Sequence, residues 1–220
     1  MTDGVRLVML GRQGAGKGTQ AIRLAQHFGV AHISTGDMLR AAVATGTEFG
    51  LRAKSVMDSG GLVSDEIMVG VVDERLNEPD TTSRGYILDG FPRTVPQGEA
   101  LAGITSGRPL QAVVNLEVPE GIVLERITKR RVCRTCGTIY SVDAPPKVDW
   151  TCDVDGGEVV QRHDDEETAV RKRLDLYAEE TLPLVPFYAE AGLLVEVDGL
   201  GSPDEVFNRL LDAVRARIGS

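Results

Sequence analysis

A glycine-rich stretch near the start of the chain, LGRQGAGKGTQ at residues 10–20, restricts the fold more than any other feature. Gly11, Gly16 and Lys17 match the phosphate-loop pattern G-x-x-x-x-G-K, between an apolar run and an amphipathic one. Glycines let backbone N–H groups converge on phosphate oxygens, and the N-terminus of the next helix adds partial positive charge. The alternative is an ordinary glycine-rich turn. We predict a strand–loop–helix unit for a nucleoside triphosphate, with Lys17 facing the outer phosphates.

The rest of the chain alternates short apolar runs with amphipathic stretches. The apolar runs predict buried strands at 6–10, 85–89, 112–118 and 193–197, with a less distinct strand at 31–33. The amphipathic stretches predict helices at 17–28, 37–44, 64–76, 119–129, 165–191 and 203–218. Strands that alternate with helices imply a parallel sheet with helices on both faces. The predicted fold class is therefore α/β, with a five-stranded parallel sheet.

Charge and composition limit the partners of the chain. Acidic residues outnumber basic ones by 33 to 24, and this net charge of −9 disfavours a nucleic-acid partner. No apolar run approaches the roughly 20 residues of a membrane helix, and the first ten residues do not resemble a secretory signal. We expect a cytoplasmic chain without nucleic-acid or membrane partners. An anion site would need a local cluster of Arg and Lys.

One segment, at about 132–161, departs from the alternation and predicts a small inserted domain. Cys133-x-x-Cys136 is followed, after fifteen residues, by Cys152-x-x-Asp155. Two such pairs are typical of a structural zinc site, here with a carboxylate as the fourth ligand. His163 is a weaker candidate for that ligand because it lies outside the pair spacing. A redox pair at Cys133 and Cys136 is the other alternative, disfavoured because the segment is an acidic insert rather than the start of a core helix.

Four strings along the chain carry a family resemblance. GRQGAGKGTQ, STGDMLR (34–40), GLVSDE (61–66) and LDGFPRTVPQ (88–97) together resemble the adenylate kinases, and DGFPRT is the most specific piece. The insert resembles the long, metal-binding form of that family. The resemblance implies a monomer of the P-loop nucleoside-monophosphate-kinase fold that serves adenine nucleotide homeostasis. Its reaction would be reversible phosphoryl transfer from ATP, bound with Mg²⁺, to AMP, giving two ADP, with structural Zn²⁺ in the insert.

The resemblance also implies a division of the chain. It predicts a core of residues 1–33, 64–131 and 163–220, an AMP-binding segment at 34–63 and a lid at 132–162. Gly18 departs from the general phosphate-loop pattern, because it replaces the usual Ser or Thr and the hydroxyl moves to Thr19. Two positions depart from the commonest family pattern: Gln13 stands where Pro is usual, and Lys129 where Gly often is.

The catalytic residues follow from the chemistry and the resemblance together. A phosphate acceptor is already anionic and needs no general base, but the repulsion between two polyphosphates must be cancelled, which planar arginines do best. By resemblance the catalytic set is Lys17, Asp89, Arg93, Arg126, Arg130, Arg162 and Arg173, and Arg126 lies one helical turn before Arg130 on the same face. A solvated surface charge is the alternative for any single arginine. Asp89 ends a buried strand and is predicted to hold Mg²⁺ through water, or else to cap the following turn.

The two nucleotide sites are implied by resemblance alone. ATP is expected on Gly14, Ala15, Gly16, Lys17, Gly18, Thr19, Arg130, Ile139, Tyr140 and Gly201. AMP is expected on Thr35, Arg40, Gly61, Leu62, Val63, Gly90, Phe91, Pro92, Arg93, Gln97, Arg162 and Arg173, with Thr35 and Gln97 at the adenine. A kinase for another nucleoside monophosphate, a GTP-dependent kinase and a nucleotide-dependent switch remain the alternatives.

Overall fold

The computed structural model describes residues 4–46, 48–58 and 61–219. Eight strands lie within these residues: β1 (Val5–Leu10), β2 (Ala31–Ser34), β3 (Gly85–Asp89), β4 (Ala112–Glu117), β5 (Arg130–Cys133), β6 (Ile139–Ser141), β7 (Val159–Val160) and β8 (Leu194–Asp198). The α-helices are α1 (Lys17–Phe28), α2 (Thr35–Ala44), α3 (Glu48–Asp58), α4 (Asp65–Leu76), α5 (Pro79–Arg84), α6 (Val95–Ile104), α7 (Glu120–Lys129), α8 (Glu167–Leu176), α9 (Leu184–Glu190) and α10 (Pro203–Ile218).

The main sheet has five parallel strands in the order β2-β3-β1-β4-β8, which confirms the predicted fold class. The central strand β1 is buried on both faces: Leu7 and Met9 pack into one hydrophobic cluster, and Val8 and Leu10 into another. The first cluster includes side chains of α1 and α10, and the second those of α4 and α6. Burial on both faces explains the continuous apolar runs in the sequence. The carboxyl ends of β1 and β3 therefore meet at one edge of a well-packed platform.

A second, smaller sheet joins β5 antiparallel to β6 and to β7. Its buried cluster consists of Cys133, Cys152 and Val159, with Tyr140 packed against them. So few apolar side chains cannot stabilise a domain by burial alone. This sheet lies in the predicted insert.

The helix predicted at 165–191 is wrong as a single element. The chain instead forms a 3₁₀ turn (His163–Asp165), α8, a π-helix (Tyr177–Thr181) and α9. Pro183 accounts for the break, because a proline inside a helix has no N–H to donate and clashes with the carbonyl four residues earlier. Helices α3, α5 and α6 were not predicted. The predicted helices at 17–28 and 203–218 are confirmed at both ends.

Parts of the predicted division fall outside the described residues, namely 1–3, 47, 59, 60 and 220. Within residues 4–46, 48–58 and 61–219, none of the helices combines the length and apolar character that crossing a bilayer requires.

We predict that the N-terminal cap of α10 contributes measurably to stability. The Ser202 hydroxyl accepts from the N–H of Glu205, and the Glu205 carboxylate accepts from the N–H of Ser202 at 2.8 Å. Ser202→Ala should lower the free energy of unfolding by about 1 kcal/mol and the Tm by about 2–4 °C. The matched control is Ser106→Ala, because the exposed Ser106 hydroxyl has no hydrogen-bond partner among the described residues. Equal melting temperatures for the two variants would contradict the assignment.

Candidate active site

The glycine-rich loop lies between β1 and α1 and is shaped by glycines in unusual conformations. Gly16 is the N-cap of α1 with φ 99°, a left-handed conformation that L side chains rarely adopt. A Cβ on Gly11 would lie 2.5 Å from the carbonyl oxygen of Leu116. No side chain among the described residues caps α1, and its first turn has no acidic residue. The N–H groups of this helix start are therefore available to an anion.

Lys17 lies across the loop. Its Nζ donates to the carbonyl oxygens of Gly11 at 2.6 Å and Arg12 at 2.9 Å. The pKa of Lys17 is lowered to about 8, mainly by burial; Asp89 acts in the opposite direction, and the nearby arginines add to the lowering. An anion bound here would raise this pKa and favour the charged form.

A cleft of about 1390 Å³ opens at the carboxyl edge of the main sheet and extends to the small sheet. It brings together the whole predicted catalytic set: Lys17, Asp89, Arg93, Arg126, Arg130, Arg162 and Arg173. The predicted ATP set also lines it: Gly14, Ala15, Gly16, Gly18, Thr19, Ile139, Tyr140 and Gly201 join Lys17 and Arg130 there. These residues come from widely separated parts of the chain, and they meet at the carboxyl edge of the strands, where open parallel sheets bind ligands.

A smaller pocket adjoins the cleft and contains most of the predicted AMP set. Its lining includes Thr35, Arg40, Gly61, Leu62, Val63, Gly90, Arg93, Gln97 and Arg173. Pro92 and Arg162 line the large cleft instead. Phe91 lines neither cavity, because its side chain is buried in the core beside the sheet. The two cavities share lining residues, among them Arg40, Arg93 and Arg173.

The cations of the site lie close enough together to lower one another's pKa values. Burial lowers the pKa of Arg93 to about 10, with a further contribution from Arg173. Burial also lowers the pKa of Arg162 to about 10, helped by Arg40 and Arg130. Positive charge this concentrated stabilises bound polyanions far more than isolated surface arginines would.

Two aspartates that sequence reasoning missed balance part of this charge. Arg130 donates Nε–H to Asp165 Oδ2 at 2.8 Å in a bidentate pair, and the Asp165 side chain is fully buried. Arg173 donates to Asp164 Oδ2 at 2.6 Å. Burial raises the pKa of Asp164, but Arg173, Arg162 and Arg130 outweigh that effect and the net shift is downward. In the sequence these aspartates belong to the acidic run 164–167, which is typical of a solvated segment; their position two and three residues after Arg162 is the available signal.

The predicted common helix face of Arg126 and Arg130 is wrong. Helix α7 ends at Lys129, and Arg130 is extended (φ −63°, ψ 139°) as the first residue of β5. Arg126 donates to the carbonyl oxygens of Ala15 at 3.4 Å and Gly199 at 3.5 Å. It therefore connects the glycine-rich loop to the loop before α10.

The two residue pairs of the insert, Cys133 with Cys136 and Cys152 with Asp155, lie close together in space. The Sγ atoms of Cys133, Cys136 and Cys152 and a carboxylate oxygen of Asp155 all lie within 4.8 Å of one another. The Gly157 N–H donates to Asp155 Oδ1 at 2.9 Å and lowers the pKa of this carboxyl group to about 2. The side chain of His163, the weaker candidate ligand, lies outside the described part of the chain.

Three thiols and one carboxylate suit a four-coordinate metal site. The surroundings fit closely: a Cβ on Gly157 would lie 2.8 Å from Cys133 Sγ and 3.1 Å from Asp155 Oδ1. Cys133, Cys136 and Cys152 are free thiols.

Comparison with known proteins agrees with this geometry. A family model described as adenylate kinase matches residues 9–193. An adenylate kinase of Carboxydothermus hydrogenoformans is 49% identical over 218 residues, covering 96% of this chain and 100% of that protein. An adenylate kinase of Thermodesulfovibrio yellowstonii is 50% identical, with 94% of this chain and 97% of that protein covered. The adenylate kinase of Bacillus subtilis is 48% identical, with 94% of this chain and 97% of that protein covered.

The matched region extends from the end of β1 to the residue before β8. It contains the glycine-rich loop, the arginines that line both cavities and the cysteine cluster. The chain therefore belongs to the adenylate kinase family.

Proposed function

We propose that the large cleft binds ATP and the smaller pocket binds AMP, so that a phosphoryl group passes between them to give two ADP. The observation that carries this proposal is the shared lining of the two cavities. Arg40, Arg93 and Arg173 border both, so their guanidinium groups stand where two phosphate chains would meet. Arginine forks suit this position because they bind phosphate oxygens bidentately and stay charged.

In this proposal the protein supplies alignment and charge rather than proton transfer. The AMP phosphate is the nucleophile and is already ionised at neutral pH. Arg40 and Arg93 hold it, and Arg130 and Arg162 stabilise the transferring group. Lys17 and the loop N–H groups hold the outer phosphates of ATP. Arg126 positions the loop through its bond to Ala15.

Mg²⁺ would be held with ATP near Asp89 and Thr19. Asp89 is half-buried at the end of β3 and lines the large cleft, and carboxylate oxygen is a hard ligand that suits this ion. A Cβ on Gly18 would lie 3.4 Å from Asp89 Oδ2, at van der Waals distance, so this position of the loop faces the carboxylate. When bound, the ion neutralises charge that develops on the phosphates.

We further propose that the small sheet acts as a lid over ATP, within the predicted boundaries 132–162. Arg130 lies just before that segment and Arg162 is its last residue, and the lid residues Ile139 and Tyr140 line the cleft. The proposal extends to a cytoplasmic monomer without nucleic-acid or membrane partners, supported by the net charge of −9 and by three free thiols that suit a reducing compartment.

One coupled assay separates the alternatives. ATP or GTP is offered as donor, with AMP, UMP, CMP or GMP as acceptor, and diphosphate formation is measured. The proposal expects ATP with AMP to be the preferred pair. Preference for another acceptor would reassign the smaller pocket, and nucleotide binding without transfer would identify a switch.

Arg93→Ala should weaken the binding of AMP more than the binding of ATP. Loss of a charge-assisted contact to the acceptor phosphate should lower kcat/KM for AMP about 10- to 100-fold, with a much smaller change in KM for ATP. Arg171→Ala on α8 is the matched control, because Arg171 is 62% exposed and pairs only with Glu167 among the described acidic groups. Equal losses for AMP and ATP would overturn the assignment of Arg93.

ATP binding should depend on the protonation of Lys17. Because the pKa of free Lys17 is about 8 and a bound phosphate raises it, the complex must take up a proton above pH 8. The affinity for ATP should therefore be insensitive to this group below pH 8 and fall by up to about tenfold per unit above it. Calorimetry at pH 9 in two buffers of different ionisation enthalpy should detect this uptake, and Lys17→Met should abolish it. Unchanged uptake in the variant would contradict the role of Lys17.

The purified protein should contain about one zinc ion per chain. Removal by a chelator should lower the Tm, and re-addition of Zn²⁺ should restore it, because the small sheet has little hydrophobic core of its own. Asp155→Cys should retain the metal, since thiolate is the softer ligand, whereas Cys136→Ser should lose most of it. Absence of stoichiometric metal together with freely reactive thiols at Cys133 and Cys136 would exclude the site.

A further inference from the structure

Asp65, at the first turn of α4, holds two side chains at the start of α6. Its Oδ1 accepts a hydrogen bond from Gln97 Nε2 at 2.7 Å, and its Oδ2 accepts one from the Thr94 hydroxyl at 2.8 Å. Thr94 is the N-cap of α6, and its hydroxyl oxygen also accepts from the N–H of Gln97. The carboxylate thus makes two short bonds to the segment that borders the smaller pocket.

The amide of Gln97 is held at both of its ends. Its Oε1 accepts from the backbone N–H of Arg93 at 2.7 Å, opposite the bond from Nε2 to Asp65. A carboxylate can only accept and a backbone N–H can only donate, so the two ends of the amide cannot be exchanged. The side chain is almost completely buried and lines the smaller pocket, which leaves it no room to turn freely.

Among the described residues, this arrangement leaves the amide with one unused donor and one unused acceptor. A primary amide has two N–H groups and two lone pairs on its oxygen, and the bonds to Asp65 and Arg93 take one of each. Adenine presents an amino donor beside a ring-nitrogen acceptor, which matches the remaining pair. A 6-oxopurine presents oxygen where adenine has the amino group, so that two acceptors would face each other.

We propose that Asp65 is a specificity-determining positioning residue, which fixes the amide of Gln97 so that the pocket accepts a 6-aminopurine and rejects a 6-oxopurine. The inference rests on the proposed place of Gln97 at the base of AMP. Asp65 itself touches no nucleotide; it acts through Gln97. The backbone N–H of Arg93 holds the oxygen end of the amide, and Asp65 holds the nitrogen end.

Asp65→Asn tests the inference with a side chain of the same shape. An asparagine can donate or accept, so its contact no longer distinguishes the two orientations of the Gln97 amide. With MgATP as donor, we expect the ratio of kcat/KM for AMP to that for IMP to fall about tenfold, while KM for ATP stays unchanged. Some preference for AMP over IMP remains, because the backbone N–H of Arg93 still holds the amide oxygen. Only folded enzyme contributes to either rate, so the ratio is independent of any loss of stability.

Two further variants complete the experiment. Glu66→Gln makes the same change of charge at the next, exposed position of α4 and should leave the ratio unaltered. Gln97→Ala should raise KM for AMP if the amide lies at the base. If KM for AMP is unchanged in Gln97→Ala, the place of Gln97 in the proposed function is overturned. A raised KM in Gln97→Ala, with an unaltered AMP-to-IMP ratio in Asp65→Asn, would overturn the role of Asp65 alone.

Discussion

The site is organised around the electrostatic cost of holding many cations in one partly buried place. Lys17, Arg93, Arg162 and Arg173 all have lowered pKa values, and burial is the main cause at each of them. Desolvation and mutual repulsion would separate these groups in a flexible chain. They stay together because strand ends, helix starts and the small sheet fix their backbones, and because Asp89, Asp164 and Asp165 offset part of the charge. The rigidity of the main sheet is therefore a condition for the chemistry.

The need to bind a polyanion also explains why the loop between β1 and α1 is rich in glycine. A phosphate must approach backbone N–H groups, so side chains are excluded where they would intervene. Lys17 meanwhile lies against the loop carbonyls of Gly11 and Arg12, which satisfy its ammonium group. The arginines are compensated in the same way, because Arg130 and Arg173 pair with carboxylates within the site.

Local patterns in the sequence predicted the elements but not all of their contacts. The central strands β3, β1 and β4 could be predicted because burial on both faces leaves uninterrupted apolar runs, and α10 because Pro203 suits the first turn of a helix. Helix α6 has a comparable start, Thr94 followed by Gln97 at the third helical position, yet this start overlaps the string LDGFPRTVPQ, which predicts a site rather than an element. The carboxylates of Asp65 and Asp165 could not be assigned from sequence, because their partners lie 32 and 35 residues away. Which charges meet is decided by tertiary structure.

The small sheet has a consequence for how the molecule responds to its surroundings. Its buried cluster contains two of the four candidate metal ligands, Cys133 and Cys152, so the residues that would bind the ion also make up most of its core. A structural unit held in this way has a local unfolding free energy that follows the free concentration of its ligand, by about 1.4 kcal/mol for each tenfold change. The main sheet is instead packed by two large apolar clusters, neither of which includes a candidate metal ligand. Metal supply would therefore set how long the small sheet persists while the platform beneath it stays intact.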